Sequence, residues 1–126
     1  AVGPDGHPVR TNSQYDPLES LAEIPCAKVL GFTKPTPIQR YAIPVIQNGH
    51  PILVRAPTGM GKTLCFLLPM VESIRYSGMG VRVLIITPTR ELAEQIKAEA
   101  SKLCEPRRLK VAALYGSKQG QSSYKS

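Results

Sequence analysis

Residues 56–63 read Ala56-Pro57-Thr58-Gly59-Met60-Gly61-Lys62-Thr63. The apolar run Ile52–Val54 before them is typical of a short buried strand, and Leu64–Leu68 after them is typical of the start of a helix. A glycine-rich loop between a strand and a helix directs backbone N–H groups and the positive end of the helix dipole at an anion. The pattern therefore predicts a phosphate-binding loop.

Each part of this loop has a predicted task. Gly59 and Gly61 carry no side chain that would block the approach of phosphate oxygens to the backbone. We expect Lys62 to reach the β- and γ-phosphates and the Thr63 hydroxyl to bind Mg²⁺, which makes these two the catalytic candidates. The other nucleotide-binding positions of the loop are Ala56, Pro57, Thr58 and Met60. The alternative is a glycine-rich turn that binds nothing.

The composition favours one globular domain with an anionic partner. The 126 residues are 42% hydrophobic, and no apolar run approaches the roughly 18 residues of a membrane span. We therefore expect no membrane partner. The net charge of +7 indicates nucleic acid as a partner, but an acidic region outside this sequence would explain the excess equally well.

The three cysteines indicate neither a disulfide framework nor a zinc site. Cys26, Cys65 and Cys104 lie far apart and form no Cys-x-x-Cys pair. Each is expected to be a small buried side chain rather than a nucleophile. A reducing, intracellular compartment fits this usage, with nucleus, nucleolus and cytoplasm left open.

The amino-terminal part predicts short helices behind a flexible segment. Residues 1–16 contain little apolar material and should be weakly ordered. Residues 17–30 have the apolar spacing of one interrupted helix or two short ones, with a break at Pro25 and a C-cap at Gly31. Thr36 is the predicted N-cap of a helix that starts at Pro37 and runs to about residue 47.

The rest of the chain alternates strands and helices. Strands are predicted at 51–55, 81–87 and 110–115, and helices from the phosphate loop to about residue 76 and over 90–104. This order predicts an α/β fold with a parallel sheet of about three strands, with ligands at the carboxyl ends of the strands. Residues 117–126 are polar and are expected to form a loop or the start of a helix.

Three segments in this order resemble the Q motif, motif I and motif Ia of the DEAD-box RNA helicases. They are Gly31–Gln39, Ala56–Thr63 and Pro88–Ala93. The resemblance covers about Pro17 to Tyr115. It implies the amino-terminal part of the first of two RecA-like domains, so that 17–126 would be an incomplete RecA-like P-loop domain that binds ATP with Mg²⁺.

The resemblance also implies how an adenine nucleotide is recognised. The amide of Gln39 would read the adenine base, since a carboxamide can donate to and accept from its edge. Phe32 would pack on the adenine ring, and the backbone near Lys34 would help recognise the base. Tyr15 is the one candidate for an aromatic residue that supports this motif from upstream.

Motif Ia of the family contacts RNA phosphates, which implies sequence-independent RNA binding here. Pro88, Thr89 and Arg90 would form this contact through a hydroxyl, a guanidinium and a helix N-terminus. A Gly-Gly pair of the family that also touches RNA corresponds here to Gly116 and Ser117. The alternative for Thr89 and Arg90 is an N-cap followed by a surface ion pair.

The residues needed to hydrolyse ATP are missing from this sequence. A carboxylate must hold Mg²⁺ together with the Thr63 hydroxyl, yet the two aspartates, Asp5 and Asp16, both precede the loop. We expect a fragment of an ATP-dependent RNA helicase that binds nucleotide without hydrolysing it. The family's Asp-Glu-Ala-Asp box and second RecA-like domain would lie beyond Ser126, and the latter would be a partner.

Two other functions stay open from the sequence, and one physical consequence follows from it. The chain could be a non-catalytic RNA- or protein-binding module, or part of another P-loop ATPase or helicase of RecA-like fold. A parallel sheet of only three strands has an unpaired edge, which predicts marginal stability or self-association through that edge.

Overall fold

The computed structural model describes residues 15–75, 78–116 and 122–125. They form two compact units, of which the first ends at Ser73 and the second begins at Ile74. Of the segment 1–16 that we expect to be flexible, residues 1–14 lie outside the described part. The assignment of 17–126 to one partial domain stays a prediction.

Two short 3-10 helices open the first unit, at Leu21–Glu23 and Pro25–Leu30. Ser20 caps the former in a capping box with Glu23, and Ile24 separates the two with extended backbone. Gly31 ends the second helix in the left-handed region, with φ of 76°. The break at Pro25 and the glycine C-cap are confirmed, and the tighter 3-10 form suits helices this short.

Helices α1 (Pro37–Gln47) and α2 (Lys62–Ser73) pack against each other and form the main body of the first unit. Each contains an internal proline, Pro44 in α1 and Pro69 in α2. The chain before α1 is fixed to it by a 2.8 Å hydrogen bond from the Leu18 N–H to the Arg40 carbonyl. The buried apolar side chains of this unit are Leu18, Leu21, Ile24, Cys26, Ala27, Ala42, Ile43, Cys65, Leu67, Leu68 and Val71.

The second unit contains helix α3 (Arg90–Cys104), a 3-10 turn (Glu105–Arg107) and strands β1 (Ala113–Gly116) and β2 (Ser122–Lys125). The α3 helix begins at Arg90, as predicted, because Thr89 accepts the Leu92 N–H as its N-cap. None of the helices in the described ranges has the length and apolar character to cross a bilayer.

The predicted strands 51–55 and 81–87 are neither helical nor paired in a ladder within the described residues. Exposure alternates from residue 83 to 87 with the two-residue period of an extended chain, and Leu84 and Ile86 lie 76% and 86% exposed on one face. A strand needs a neighbour for its hydrogen bonds, and a central parallel strand needs cover on both faces. The described residues provide neither for this segment.

The sheet that the described residues do form is antiparallel, with Ala113 opposite Lys125 and Gly116 opposite Ser122. The third predicted strand is thus confirmed in its second half, beginning at Ala113. The prediction of a loop or helix start for 117–126 is wrong for Ser122–Lys125. These polar residues form a strand because its hydrogen bonds come from the neighbouring backbone, without an apolar pattern.

Candidate functional site

The phosphate loop leads directly into the N-terminus of α2. Gly59 and Gly61 both adopt left-handed backbone, with φ of 83° and 76°. Lys62 is the first residue of α2 and Thr63, half-buried, is the second. The loop therefore delivers the unpaired N–H groups of a helix start to the position where the sequence predicts phosphate.

Two side chains fix the conformation of this loop: that of Thr36, the N-cap of α1, and that of Gln39, within α1. Thr36 and Gln39 form a reciprocal capping box, in which the Gln39 Oε1 accepts the Thr36 N–H at 2.9 Å. The Thr36 hydroxyl also donates to the Met60 carbonyl at 2.8 Å, and the Gln39 Nε2 donates to the Gly61 carbonyl at 3.2 Å. The predicted Q motif and the phosphate loop are thus one hydrogen-bonded unit.

Gln39, the predicted adenine reader, is 1% exposed and has a protein partner on each amide atom. A carboxamide has two N–H groups and two acceptor lone pairs, so one of each remains beyond these bonds. In this structure the Gln39 amide links α1 to the phosphate loop. Adenine recognition by Gln39 stays a prediction.

Gly61 is required by this link as well as by its backbone angle. A Cβ atom at Gly61 would collide with the Gln39 Nε2 and lie 3.4 Å from the Thr36 Cγ2. A Cβ atom at Gly59 would meet nothing within 4 Å. The two glycines of the loop therefore have different roles: Gly59 keeps an open surface, and Gly61 admits the Gln39 amide.

The Lys62 ammonium lies across the loop and donates to the Ala56 carbonyl at 2.6 Å. Ammonium has three donors, so this bond holds the charge over the loop and leaves further N–H groups for an anion. Pro57 and Thr58, which lie between Ala56 and Lys62 in the sequence, are exposed. The contact of Lys62 with phosphate stays a prediction that this position favours.

Phe32 and Lys34 lie on the surface of the same unit. Phe32 is 50% exposed, and Lys34 is also exposed. The intervening Thr33 is fixed, since its carbonyl accepts the Leu21 N–H at 2.7 Å. No hydrogen bond joins Phe32 or Lys34 to the loop within the part of the chain that the structure describes.

The thiol of Cys65 lies beneath the loop, where its Sγ donates to the Gly61 carbonyl at 3.5 Å. Burial raises the pKa of Cys65 to about 12, so the thiol remains protonated at physiological pH. Cys26 and Cys104 are buried as well. The prediction that the cysteines are small buried side chains is confirmed.

Tyr15 contacts His50 in this structure. Its hydroxyl shares a hydrogen bond with the His50 Nε2, and the two ring centroids lie 5.6 Å apart. His50 follows α1, so Tyr15 is joined to the far end of the helix that carries Gln39. Its predicted support of the Q motif stays a prediction.

In the second unit, Pro88, Thr89 and Arg90 are exposed at the start of α3. The Thr89 Oγ1 accepts the Leu92 N–H at 3.2 Å, which leaves its hydroxyl hydrogen to donate outward. The Thr89 carbonyl is fixed in turn by the Thr87 hydroxyl at 2.9 Å. Thr89 and Arg90 thus bring a hydroxyl donor and an arginine side chain to the first residues of a helix, a combination suited to a phosphate.

The Arg90 guanidinium lies over the ring of Tyr115, with 4.5 Å between Cζ and the ring centroid. The Tyr115 hydroxyl donates to the Glu94 Oε1 at 2.6 Å. Hydrogen bonding to Glu94 raises the pKa of Tyr115 above its ordinary value, burial and the Glu94 charge add to the rise, and Arg90 opposes it. The phenol therefore remains a donor at physiological pH.

The sequence patterns missed Tyr115 and Glu94. Glu94 follows Arg90 by one helical turn and Tyr115 directly precedes Gly116, but contact between them depends on the packing of α3 against β1. This packing brings Arg90 next to the residue before Gly116, so two of the predicted RNA-binding positions belong to one region. Gly116 is exposed, and Ser117 lies outside the described residues.

Within the described ranges, no three His, Cys, Asp or Glu side chains are grouped closely enough to hold a metal ion. The predicted Mg²⁺ ligand, the Thr63 hydroxyl, stays a prediction. A hydroxyl oxygen at a helix start fits Mg²⁺ as one ligand among phosphate oxygens and waters.

Comparison with known proteins agrees with these motifs. The profile of DEAD/DEAH box helicases matches residues 36–126, which is most of the chain. This chain belongs to the DEAD/DEAH box helicase family. The match includes α1, the phosphate loop and α3, so both compact units carry helicase-family sequence.

This chain matches only a small part of the length of each relative. The DEAD-box ATP-dependent RNA helicase RhpA of Helicobacter pylori is 45% identical over 92 residues, 73% of this chain and 18% of the relative. The probable ATP-dependent RNA helicase DDX52 of Bos taurus is 45% identical over 101 residues, which are 78% of this chain and 17% of the relative. The chain thus spans about a sixth of the length of such relatives.

A solved structure supports the RecA-like helicase fold. The crystal structure of the RNA helicase Prp28 from Chaetomium thermophilum bound to ADP is 35% identical, with a TM-score of 0.73. The match covers 85% of this chain and 29% of the Prp28 chain. The fold is therefore that of an incomplete RecA-like helicase domain, although the described residues contain little sheet.

Gly61→Ala should destabilise the fold more than Gly59→Ala. Both changes force alanine into left-handed backbone, at roughly 1–2 kcal/mol each, but only the former drives a Cβ atom into Gln39. We expect the midpoint of urea unfolding, followed by circular dichroism, to fall further for Gly61→Ala. Equal midpoints for the two variants would contradict the role of Gly61 in the link to Gln39.

Proposed function

We propose that this chain is the ATP-binding part of an ATP-dependent RNA helicase, which binds an adenine nucleotide at residues 56–63 and an RNA backbone at the start of α3. The observation that carries the nucleotide site is the double hydrogen-bonded link from Thr36 and Gln39 to the carbonyls of Met60 and Gly61. A preformed loop lowers the ordering cost of binding.

The residues of the site support each moiety of the nucleotide. The glycine-rich loop and the α2 N-terminus suit the phosphates, with Lys62 held over the loop by the Ala56 carbonyl. Thr63 would provide a hydroxyl ligand to Mg²⁺, and the metal would neutralise phosphate charge. The half-exposed Phe32 ring offers an apolar surface for adenine. The ADP of the Prp28 structure supports the same ligand class.

The RNA contact is supported by charge and by exposure. Arg90 and Thr89 lie exposed at a helix N-terminus in a chain of net charge +7, which favours a polyanion as a whole although Glu91 and Glu94 lie in the same part of α3. Contacts of this kind recognise phosphate and are insensitive to base sequence. Strand separation, a second RecA-like domain and an intracellular location are proposals for the longer protein that such relatives represent.

This chain alone should bind ATP without hydrolysing it. Hydrolysis needs a carboxylate for Mg²⁺ and a group that orients the attacking water. The only aspartates of the sequence are Asp5 and Asp16, upstream of the loop, and the described residues hold no carboxylate cluster. A non-catalytic binding module would share this property, but it would not require ATP to be preferred over GTP.

The isolated chain should also self-associate through its uncovered apolar segment. Leu84 and Ile86 lie on one face of residues 81–87, and Val81 in the same segment is 84% exposed. Exposed apolar side chains on a segment that pairs with no strand among the described residues are a template for pairing with another chain. The occupant we propose for the isolated chain is a second copy of itself.

Lys62→Ala should weaken ADP and ATP binding about ten- to a hundredfold, since a hydrogen bond to a charged group contributes roughly 1.5–3 kcal/mol. Titration calorimetry in the presence of Mg²⁺ measures this effect. Lys28→Ala, which removes an exposed lysine of the second 3-10 helix, is the matched control and should change nothing. ATP turnover by the wild-type chain that disappears in Lys62→Ala would contradict the absence of hydrolysis.

Gln39→Ala should abolish the preference for ATP over GTP, because the amide that reads adenine is removed. Its control is Thr36→Val, which removes the bond to the Met60 carbonyl and the N-cap bond to the Gln39 N–H but leaves the Gln39 amide present. Thr36→Val should weaken ATP and GTP equally. Competition of each nucleotide against a fluorescent ADP measures the affinities of both variants. An equal loss of affinity for ATP and GTP in Gln39→Ala would contradict adenine recognition by Gln39 and indicate a structural role alone.

Leu84→Glu should reduce self-association of the isolated chain, because a charge on the apolar face of residues 81–87 opposes its burial. Sedimentation velocity over a range of concentrations measures the mass. Val29→Glu, at an exposed apolar position on a 3-10 helix, is the control and should leave the association unchanged. A wild-type chain that is monomeric at all concentrations and melts cooperatively would refute the proposed association.

A further inference from the structure

Arg90, Tyr115 and Glu94 form a contact series that connects the start of α3 to β1. The Arg90 Cζ lies 4.5 Å from the centroid of the Tyr115 ring, and the Tyr115 hydroxyl donates to the Glu94 Oε1 at 2.6 Å. All three residues belong to the second unit. Arg90 is exposed and Tyr115 is half-buried, so the ring lies beneath the guanidinium.

We propose that Tyr115 is a positioning residue for RNA binding, which holds the Arg90 guanidinium in place to contact a phosphate of a single-stranded RNA. This inference rests on the proposed RNA contact of Arg90 and adds the group through which that contact is fixed. Tyr115 itself does not touch the phosphate.

The contact between guanidinium and ring explains why a ring is suited to this task. The Arg90 guanidinium lies over the Tyr115 ring and close to its hydroxyl. A guanidinium has five N–H donors, so those not directed at Tyr115 stay available for a phosphate. The ring also limits the rotamers of a long, exposed side chain, which would otherwise lose conformational entropy on binding. Arg90 therefore presents its remaining donors in a restricted geometry, which suits the binding of phosphate oxygens.

Glu94 fixes the ring in turn. Its Oε1 accepts the Tyr115 hydroxyl at a distance typical of a strong bond to a carboxylate. Glu94 lies one helical turn after Arg90 on α3, the spacing at which opposite charges attract on a helix surface. The bond to Tyr115 occupies one oxygen of this carboxylate. Tyr115 therefore contacts Arg90 through its ring and Glu94 through its hydroxyl.

The experiment is a double-mutant cycle on the 126-residue chain with a fluorescein-labelled oligouridylate as the RNA probe. Fluorescence anisotropy gives the dissociation constant at several salt concentrations for the wild type, Arg90→Gln, Tyr115→Leu and the double variant. Tyr115→Phe keeps the ring and removes the hydroxyl. Tyr41→Leu is the matched control, since Tyr41 lies 5.9 Å beneath the Arg40 guanidinium in the first unit, outside the proposed RNA site.

Tyr115→Leu should weaken RNA binding about two- to fivefold, the effect expected of an exposed cation–π contact. The change should be absent when Arg90 is already Gln, because Tyr115 acts through Arg90. Arg90→Gln should reduce the slope of log affinity against log salt by about 0.7, one phosphate contact on a single strand. Tyr115→Phe keeps the ring but loses the bond to Glu94, so its affinity should lie between those of the wild type and Tyr115→Leu. Tyr41→Leu should retain the full wild-type affinity.

Two sets of results would overturn the proposal, and they are distinguishable. A wild-type chain that does not bind the RNA, or that binds it with a salt slope unchanged in Arg90→Gln, would refute the proposed RNA contact and the positioning role together. If Arg90→Gln weakens binding as expected, two results refute the positioning role alone. One is an RNA affinity of Tyr115→Leu equal to that of the wild type, and the other is an equal loss of affinity from Tyr115→Leu whether residue 90 is Arg or Gln. Circular dichroism spectra of each variant verify the fold.

Discussion

The buried carboxamide of Gln39 is the interaction on which the first unit depends. It closes the capping box of α1 through the Thr36 N–H and reaches the phosphate loop through the Gly61 carbonyl. A buried polar group must keep its partners, because an unsatisfied one costs about 1–3 kcal/mol. The start of α1, the conformation of the loop and the start of α2 are therefore fixed by the same few atoms, and a change at any of them is transmitted to the others.

The second unit is organised by caps and by contacts between helix and strand. Thr89 starts α3, and the Tyr115 hydroxyl on β1 is bound to Glu94 one turn into that helix. These contacts are local to α3 and β1 and persist without a complete sheet. The apolar segment 81–87, by contrast, has the composition of a central strand and lies largely exposed, since cover for its faces must come from elements distant in sequence or from another chain.

Residues whose structure follows from local chemistry were predictable from the sequence. Thr36-Pro37 and Thr89-Arg90 start their helices as expected, and Gly31 ends one, because caps involve only neighbouring atoms. Sheet pairing depends on distant residues. For this reason the strands predicted from composition at 51–55 and 81–87 have no ladder among the residues that the structure describes, and the polar strand β2 was missed. Contact of Tyr115 with Arg90 and Glu94 depends in the same way on the packing of α3 against β1.

The proline inside α1 has a consequence for how the amino-terminal segment is attached. Proline has no N–H, so Pro44 leaves the carbonyl four residues earlier, that of Arg40, without its helical donor. The Leu18 N–H occupies this acceptor at 2.8 Å, and the Arg40 Nε donates back to the Leu18 carbonyl at 3.2 Å. A gap in the hydrogen bonding of one helix thus becomes the docking point for a segment more than twenty residues away, and an imino acid at position 44 determines where the chain before α1 is bound.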